Sequence, residues 1–148
     1  ICYITSSSIV IAILAFIGVQ LQGTLYNYYY VILRNEFDGD DTSRINEKKA
    51  PKALPGEKQK NVDILYHIFN LLYRTFDQAI YHADPTAPKK QNFPNWFMTM
   101  VSALGLGSQL FIIAALLVLQ LDDYILPFFL GYSALIPILI LVRKYLNR

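Results

Sequence analysis

The stretch IVIAILAFIGVQLQGTLYNYYY, residues 9–30, decides the fold class because it continues for the length of a membrane span without a charged side chain. A helix needs about 20 predominantly apolar residues to cross a hydrocarbon core of about 30 Å. Two more apolar blocks follow at 97–121 and 124–142, and 54% of the chain is hydrophobic, with a mean hydropathy of +0.32. We therefore predict an all-α membrane protein with three transmembrane helices and one cytoplasmic amphipathic helix at the membrane surface.

The apolar blocks and the charged regions between them define the predicted organisation. In chain order it comprises transmembrane helix 1 with a cytoplasmic extension (1–33), a flexible charged loop (34–60), an amphipathic helix (61–83), a connector (84–96), transmembrane helix 2 (97–121), transmembrane helix 3 (124–142) and a cytoplasmic tail (143–148). Block 1–33 is longer than the apolar region of a signal peptide, so we expect it to be retained as a span.

The distribution of basic residues predicts the orientation in the membrane. All thirteen Lys and Arg residues lie either between spans one and two or after span three. Basic residues near span ends favour the cytoplasmic side, so we expect the N-terminus outside and loop 34–96 and the C-terminus in the cytoplasm. The sequence does not distinguish a bacterial plasma membrane from a eukaryotic endomembrane.

Composition also excludes several kinds of site. A net charge of +2 is too small to indicate a nucleic-acid partner. Cys2 is the single cysteine, so an intrachain disulfide and a cysteine-based metal site are both excluded. The sequence contains no metal-binding motif such as HExxH, and we expect no cofactor.

A polar stripe in span one is the first candidate site. Gln20, Gly23, Thr24 and Asn27 recur with the i, i+3, i+4, i+7 spacing of one helical face, and Gln20 lies about 17 Å along the helix from Ile9. Amides that face lipid leave hydrogen bonds unmade, so the stripe requires a polar neighbour. The favoured hypothesis is contact with Ser108 and Gln109 of span two, and the alternative is a hydrated ligand or translocation cleft.

The tyrosines that follow, Tyr26 and 28–30, point around most of a helix. An aromatic belt at the membrane interface beside Arg34 explains them more simply than a binding site does.

Small residues and prolines mark the other two spans. Ala103 and Gly107 form a small-xxx-small pair that would let another helix approach closely, and Gly105 between them would loosen or bend span two. Pro137 cannot donate to the carbonyl of Ser133 and should kink span three.

The segment 61–82 has apolar residues on one helical face and polar residues on the other. Arg74 and Asp77 would each cost about 2.5–3.5 kcal/mol at the centre of a bilayer, so we predict a surface helix and not a fourth span. Asp63 could orient the His67 imidazole as a general base, although a solvated polar face is the favoured interpretation. The residues expected to contact lipid head groups or a partner are His67, Arg74, Lys89 and Lys90.

Three functional hypotheses follow, with the lipid bilayer and either other membrane subunits or a second copy as partners. The first is a non-enzymatic scaffold, adaptor or accessory subunit of a membrane complex. The second is a translocation component for a lipid, a lipid-linked group or a polypeptide. Its layout of one span, a cytoplasmic segment and a two-span hairpin is similar to that of the oxidase-assembly type of membrane insertase, without that family's coiled coil. The third, an interfacial enzyme that depends on His67 and Asp63, ranks last.

Overall fold

The computed structural model describes residues 8–36, 50–89 and 93–146, and the described chain is helical, without strands. The predicted loop at 34–60 falls partly outside these ranges, as do Cys2, Lys90 and the last two residues of the predicted tail. The helices, in chain order, are α1 (Ile9–Glu36), α2 (Gln59–Ala83), α3 (Asn95–Ser102), α4 (Leu106–Val118), α5 (Ile125–Tyr132) and α6 (Leu135–Leu146), with short 3-10 turns at Ala87–Lys89 and Asp122–Tyr124.

Helix α1 is the central element, and it contacts α2, α3, α5 and α6. The main core forms around the C-terminal half of this helix, where large aromatic side chains alternate with aliphatic ones. Its buried members are Leu25, Tyr28, Tyr29, Ile32, Ile80, Ala87, Phe93, Phe97, Val101, Leu104, Leu139 and Ile140. The core therefore lies at the end of the bundle where α1 and α6 end and α3 begins.

Two helical segments are long and apolar enough to cross a membrane, Ile9–Arg34 and Asp122–Leu146. The pair α3 and α4 also has the required length and composition, but it bends by 47° between the two helices. The described chain thus provides two membrane-compatible helices, or three if the bent pair counts as one.

The bend between α3 and α4 occurs at residues 103–105, where the sequence places Gly105. Gly105 is extended, with ψ at 157°, and it is the N-cap residue of α4. A Cβ at this position would lie 3.0 Å from the Ser102 carbonyl oxygen and 3.6 Å from the Tyr26 ring, so glycine permits the close approach. Ala103 and Gly107 lie on either side of this break and do not form the predicted pair on one continuous helix.

The second interruption, between α5 and α6, lies just before Pro137. The Ser133 carbonyl, which Pro137 cannot bond, instead accepts a hydrogen bond from the Ile136 amide at 3.1 Å. A local 3-10-type turn thus satisfies this carbonyl, and no neighbouring helix is needed for it. Helix α6 then runs to Leu146, so the start of the predicted tail at 143–148 is helical.

Helix α2 is present at 59–83, and it packs on α1 mainly through its C-terminal end. Ile80 is its single buried residue. Large apolar side chains farther toward its N-terminus remain exposed, including Leu65, Ile68, Phe69 and Leu72. The helix therefore presents an apolar face that the described chain does not cover.

Candidate functional site

The first polar group, which we call the carboxylate cluster, consists of the buried residues Asp84, Arg143, Tyr28 and Tyr29 and the exposed Thr86. Asp84 is 0% exposed and Arg143 is 1% exposed, although one follows α2 and the other lies on α6. An Arg143 Nη2 group forms an ion pair with Asp84 Oδ1 and donates to Thr86 Oγ1 at 2.5 Å. The cluster ties three separate segments of the chain together.

Two tyrosines of α1 complete the shell around Asp84. The Tyr29 hydroxyl donates to Asp84 Oδ2 at 2.8 Å, and the Tyr28 hydroxyl donates to the Asp84 backbone carbonyl at 2.9 Å. Thr86 Oγ1 lies 3.2 Å from Oδ1, and the Asp84 amide caps α2 by donating to the Ile80 carbonyl. A buried ion pair is retained at low cost only when such additional hydrogen bonds satisfy its remaining polar atoms.

The tyrosine row therefore divides into two environments. Tyr28 and Tyr29 are buried, whereas Tyr30 is exposed and stacks on Tyr26. The interpretation of the whole row as an interfacial belt is wrong for Tyr28 and Tyr29, because their hydroxyls are hydrogen-bond donors to Asp84. This contact joins residues more than 50 positions apart, so helical spacing alone could not indicate it.

The second buried group, the amide cluster, joins α1, α4 and α5 through Gln22, Gln109 and Ser133. Gln22 Nε2 donates to Ser133 Oγ at 2.9 Å and lies 3.3 Å from the Phe129 carbonyl oxygen. Gln109 Nε2 lies 3.2 Å from Gln22 Oε1, 3.2 Å from the Val19 carbonyl oxygen and 3.1 Å from the Leu104 carbonyl oxygen. These two amides are 0% and 3% exposed, whereas Ser133 is half-buried.

Gly18 allows the approach of α1 and α5 that the amide cluster requires. A Cβ on Gly18 would overlap Ser133 Oγ, so a larger residue would separate the helices one turn before Gln22. Small residues at helix contacts have this role generally in membrane proteins.

The predicted polar stripe and the amide cluster lie on different faces of α1. Gln109 contacts Gln22, not Gln20, because Gln22 lies two residues along the helix and about 200° around it from Gln20. Gln20 is half-buried, Asn27 is exposed, and a Cβ on Gly23 would meet no described atom within 4 Å. Thr24 donates within its own helix to the Gln20 carbonyl at 2.8 Å.

The structure does not bring the other predicted site residues together into one site. Ser108 is half-buried, and its hydroxyl donates to the Ser102 carbonyl at 3.2 Å across the bend. His67 and Arg74 are exposed on α2, and Asp63 accepts a hydrogen bond from Gln59 Nε2 at 2.8 Å. Lys89 ends the 3-10 turn, and Lys90 lies outside the described residues.

Both clusters consist of amides, hydroxyls and one neutralised ion pair, which are groups that hold helices together. Within the described residues, no group of three His, Cys, Asp or Glu side chains could hold a metal ion. The fold thus defines the class of the protein, which is an all-helical chain with two or three membrane-compatible helices. Buried polar contacts join these helices to one another. Comparison of the sequence with family models, characterised proteins and solved structures finds no match.

Proposed function

We propose that this chain is a three-span integral membrane protein that acts as a non-enzymatic scaffold, adaptor or accessory subunit of a membrane complex. The observation that carries the proposal is the polar stripe of α1, which the described chain covers only in part. Gln20, Gly23, Thr24 and Asn27 share a face on which Asn27 is exposed and the other three are half-buried. A Cβ added at Gly23 would meet no atom of another described helix within 4 Å. In a bilayer this face requires a polar partner, and a helix of another subunit supplies one.

The two clusters support a structural role for the chain's own polar residues. The amide cluster uses Gln22 and Gln109 for contacts between helices, and it leaves the Gln20 face for an intermolecular contact. The Asp84–Arg143 pair joins the end of the loop to the C-terminal end of α6. That contact agrees with a three-span path, in which the loop and the C-terminus share the cytoplasmic side.

Helix α2 fits the same arrangement as a cytoplasmic helix at the membrane surface. Leu65, Ile68, Phe69 and Leu72 form one exposed apolar face, whereas His67 and Arg74 lie on the other side. A helix of this kind buries its apolar face at the boundary of head groups and acyl chains. This placement covers the face that the described chain leaves open.

The test is purification of the tagged chain from native membranes, with identification of the proteins that co-purify. Replacing Gln20 and Asn27 with leucine should abolish co-purification while leaving the thermal stability of the isolated chain nearly unchanged. The exposed α1 residue Leu14, replaced by isoleucine, is the control off the stripe. A monodisperse chain that purifies without partners in all three forms would contradict the subunit role.

The same stripe permits a measurement that separates the subunit role from the translocation hypothesis. Gln20→Cys in a Cys2→Ser background should react slowly with a water-soluble maleimide in native membranes if another helix covers the stripe. Fast reaction would instead favour the hydrated cleft.

A further inference from the structure

A groove lies at the end of the bundle where α3 begins and α6 ends, close to the carboxylate cluster. It has a volume of about 760 Å³, within the range of about 300–1,000 Å³ that is typical of small-molecule sites. Its lining residues are Trp96, Leu141, Val142, Lys144, Tyr145 and Leu146. Among the described residues, the groove lining is thus apolar except for the Lys144 ammonium.

The Lys144 ammonium contacts the C-terminal end of α2. Its Nζ atom donates to the Ala83 carbonyl at 3.0 Å, which leaves two of its three N–H groups for another acceptor. The neighbouring Arg143 is neutralised by Asp84, so Lys144 provides the positive charge at this groove. An anionic oxygen is the acceptor that matches such a group.

Two aromatic side chains place the groove relative to a bilayer. Trp96 is 49% exposed and Tyr145 is 77% exposed, and both belong to the groove lining. Tryptophan and tyrosine concentrate where head groups meet hydrocarbon. With α6 ending on the cytoplasmic side, the lysine lies at head-group level, and Leu141 and Val142 line the part nearer the hydrocarbon.

We infer that this groove binds an anionic glycerophospholipid, with an acyl chain along Leu141 and Val142 and the head-group phosphate at Lys144. The inference rests on the membrane placement proposed above. A protein helix would also fill the apolar part, but the phosphate of an anionic lipid already lies at the depth of the Lys144 ammonium. A lipid supplies a phosphate at the head-group level, where Lys144 lies, and an acyl chain nearer the hydrocarbon, where Leu141 and Val142 lie.

The test is native mass spectrometry of the full chain, extracted from membranes in detergent and mixed with phosphatidylglycerol or phosphatidylcholine of identical acyl chains. We expect phosphatidylglycerol to bind more tightly, and Lys144→Gln to weaken it about fivefold, which corresponds to about 1 kcal/mol for one basic residue at a membrane surface. Leu141→Trp, at a residue 65% exposed, should fill the groove and reduce the binding of both lipids.

Lys52→Gln is the matched control, because Lys52 is exposed in the loop and its loss changes the net charge equally. Equal binding of the two lipids, or equal weakening by Lys52→Gln and Lys144→Gln, would overturn the lipid site. Unchanged lipid binding by Leu141→Trp would also overturn it, as would a photo-crosslinker at position 145 that captures a protein or a second copy. A chain absent from the membrane fraction would instead contradict the proposed membrane placement itself.

Discussion

The two halves of α1 have opposite surroundings, although one helix contains both. In the C-terminal half, Leu25 and Tyr29 are 0% exposed and belong to the main core. In the N-terminal half, Ile9 is 71% exposed and Phe16 is 59% exposed. The C-terminal half thus packs within the described chain, whereas the described residues leave much of the apolar surface of the N-terminal half uncovered.

Helix α4 resembles the N-terminal half of α1. Gln109 is its single buried residue, and large side chains such as Phe111 and Val118 are more than 70% exposed. The hydrogen bonds of Gln109 therefore form a large part of the attachment of α4 to α1. The described residues therefore pack closely at one end of the bundle, where α1 and α6 end. At the other end, the N-terminal half of α1 and most of α4 remain exposed.

The largest effect is expected from a variant that breaks the carboxylate cluster. This cluster lies at the closed end of the bundle, where α1 and α6 end. Asp84→Ala should leave the Arg143 guanidinium buried without its carboxylate, and breaking a buried pair in this way costs about 3–5 kcal/mol. The midpoint of thermal unfolding in detergent should then fall by about 6–20 °C, at about 2–4 °C per kcal/mol for a chain of this size.

The double variant Asp84→Leu with Arg143→Met is the control for that experiment. Replacing both charges by apolar groups of similar volume is often neutral, so the double variant should unfold at a higher temperature than Asp84→Ala. If both variants lost the same stability, the ion pair would not be what holds this end of the bundle together.

A smaller loss of stability is expected from a change at Gly18, where α1 approaches Ser133. Gly18→Ala should force α1 and α5 apart at Ser133 and destabilise the chain by about 1–3 kcal/mol, the usual cost of overpacking. The thermal midpoint of this variant should rise again when Ser133→Ala removes the overlapping hydroxyl. Gly107→Ala is the matched control, because a Cβ there meets no described atom within 4 Å, and its stability should not fall.

The smallest effect concerns the attachment of α4. Gln109→Leu removes side-chain hydrogen bonds to α1, and such bonds in membrane proteins are worth about 0.6–1.7 kcal/mol. Thermal unfolding should shift down by a few degrees, and limited proteolysis in detergent should cut more readily near residues 103–105. Gln20→Leu, at a residue outside the amide cluster, provides the comparison, and equal cleavage of the two variants would contradict the role of Gln109.

The sequence predicted the helical class, the apolar segments and the presence of a helix at 61–83, because each depends on the local order of residues. It also indicated a bend at Gly105. It did not predict the Asp84–Arg143 pair, because the partners are 59 positions apart and no periodicity relates them. Gln22 was missed for another reason, since the stripe spacing selected Gln20 and Gly23 on a different face of the same helix.

The distance along the chain between Asp84 and Arg143 has a consequence for biosynthesis. Ribosomes add about 5–20 residues per second, so about 3–12 s separate the synthesis of these two residues. During that interval the aspartate and the hydroxyls of Tyr28 and Tyr29 are already made, but their arginine is not. Until the last helix is added, Asp84 therefore lacks its cation, and the closed end of the bundle, which needs Arg143 of α6, cannot form.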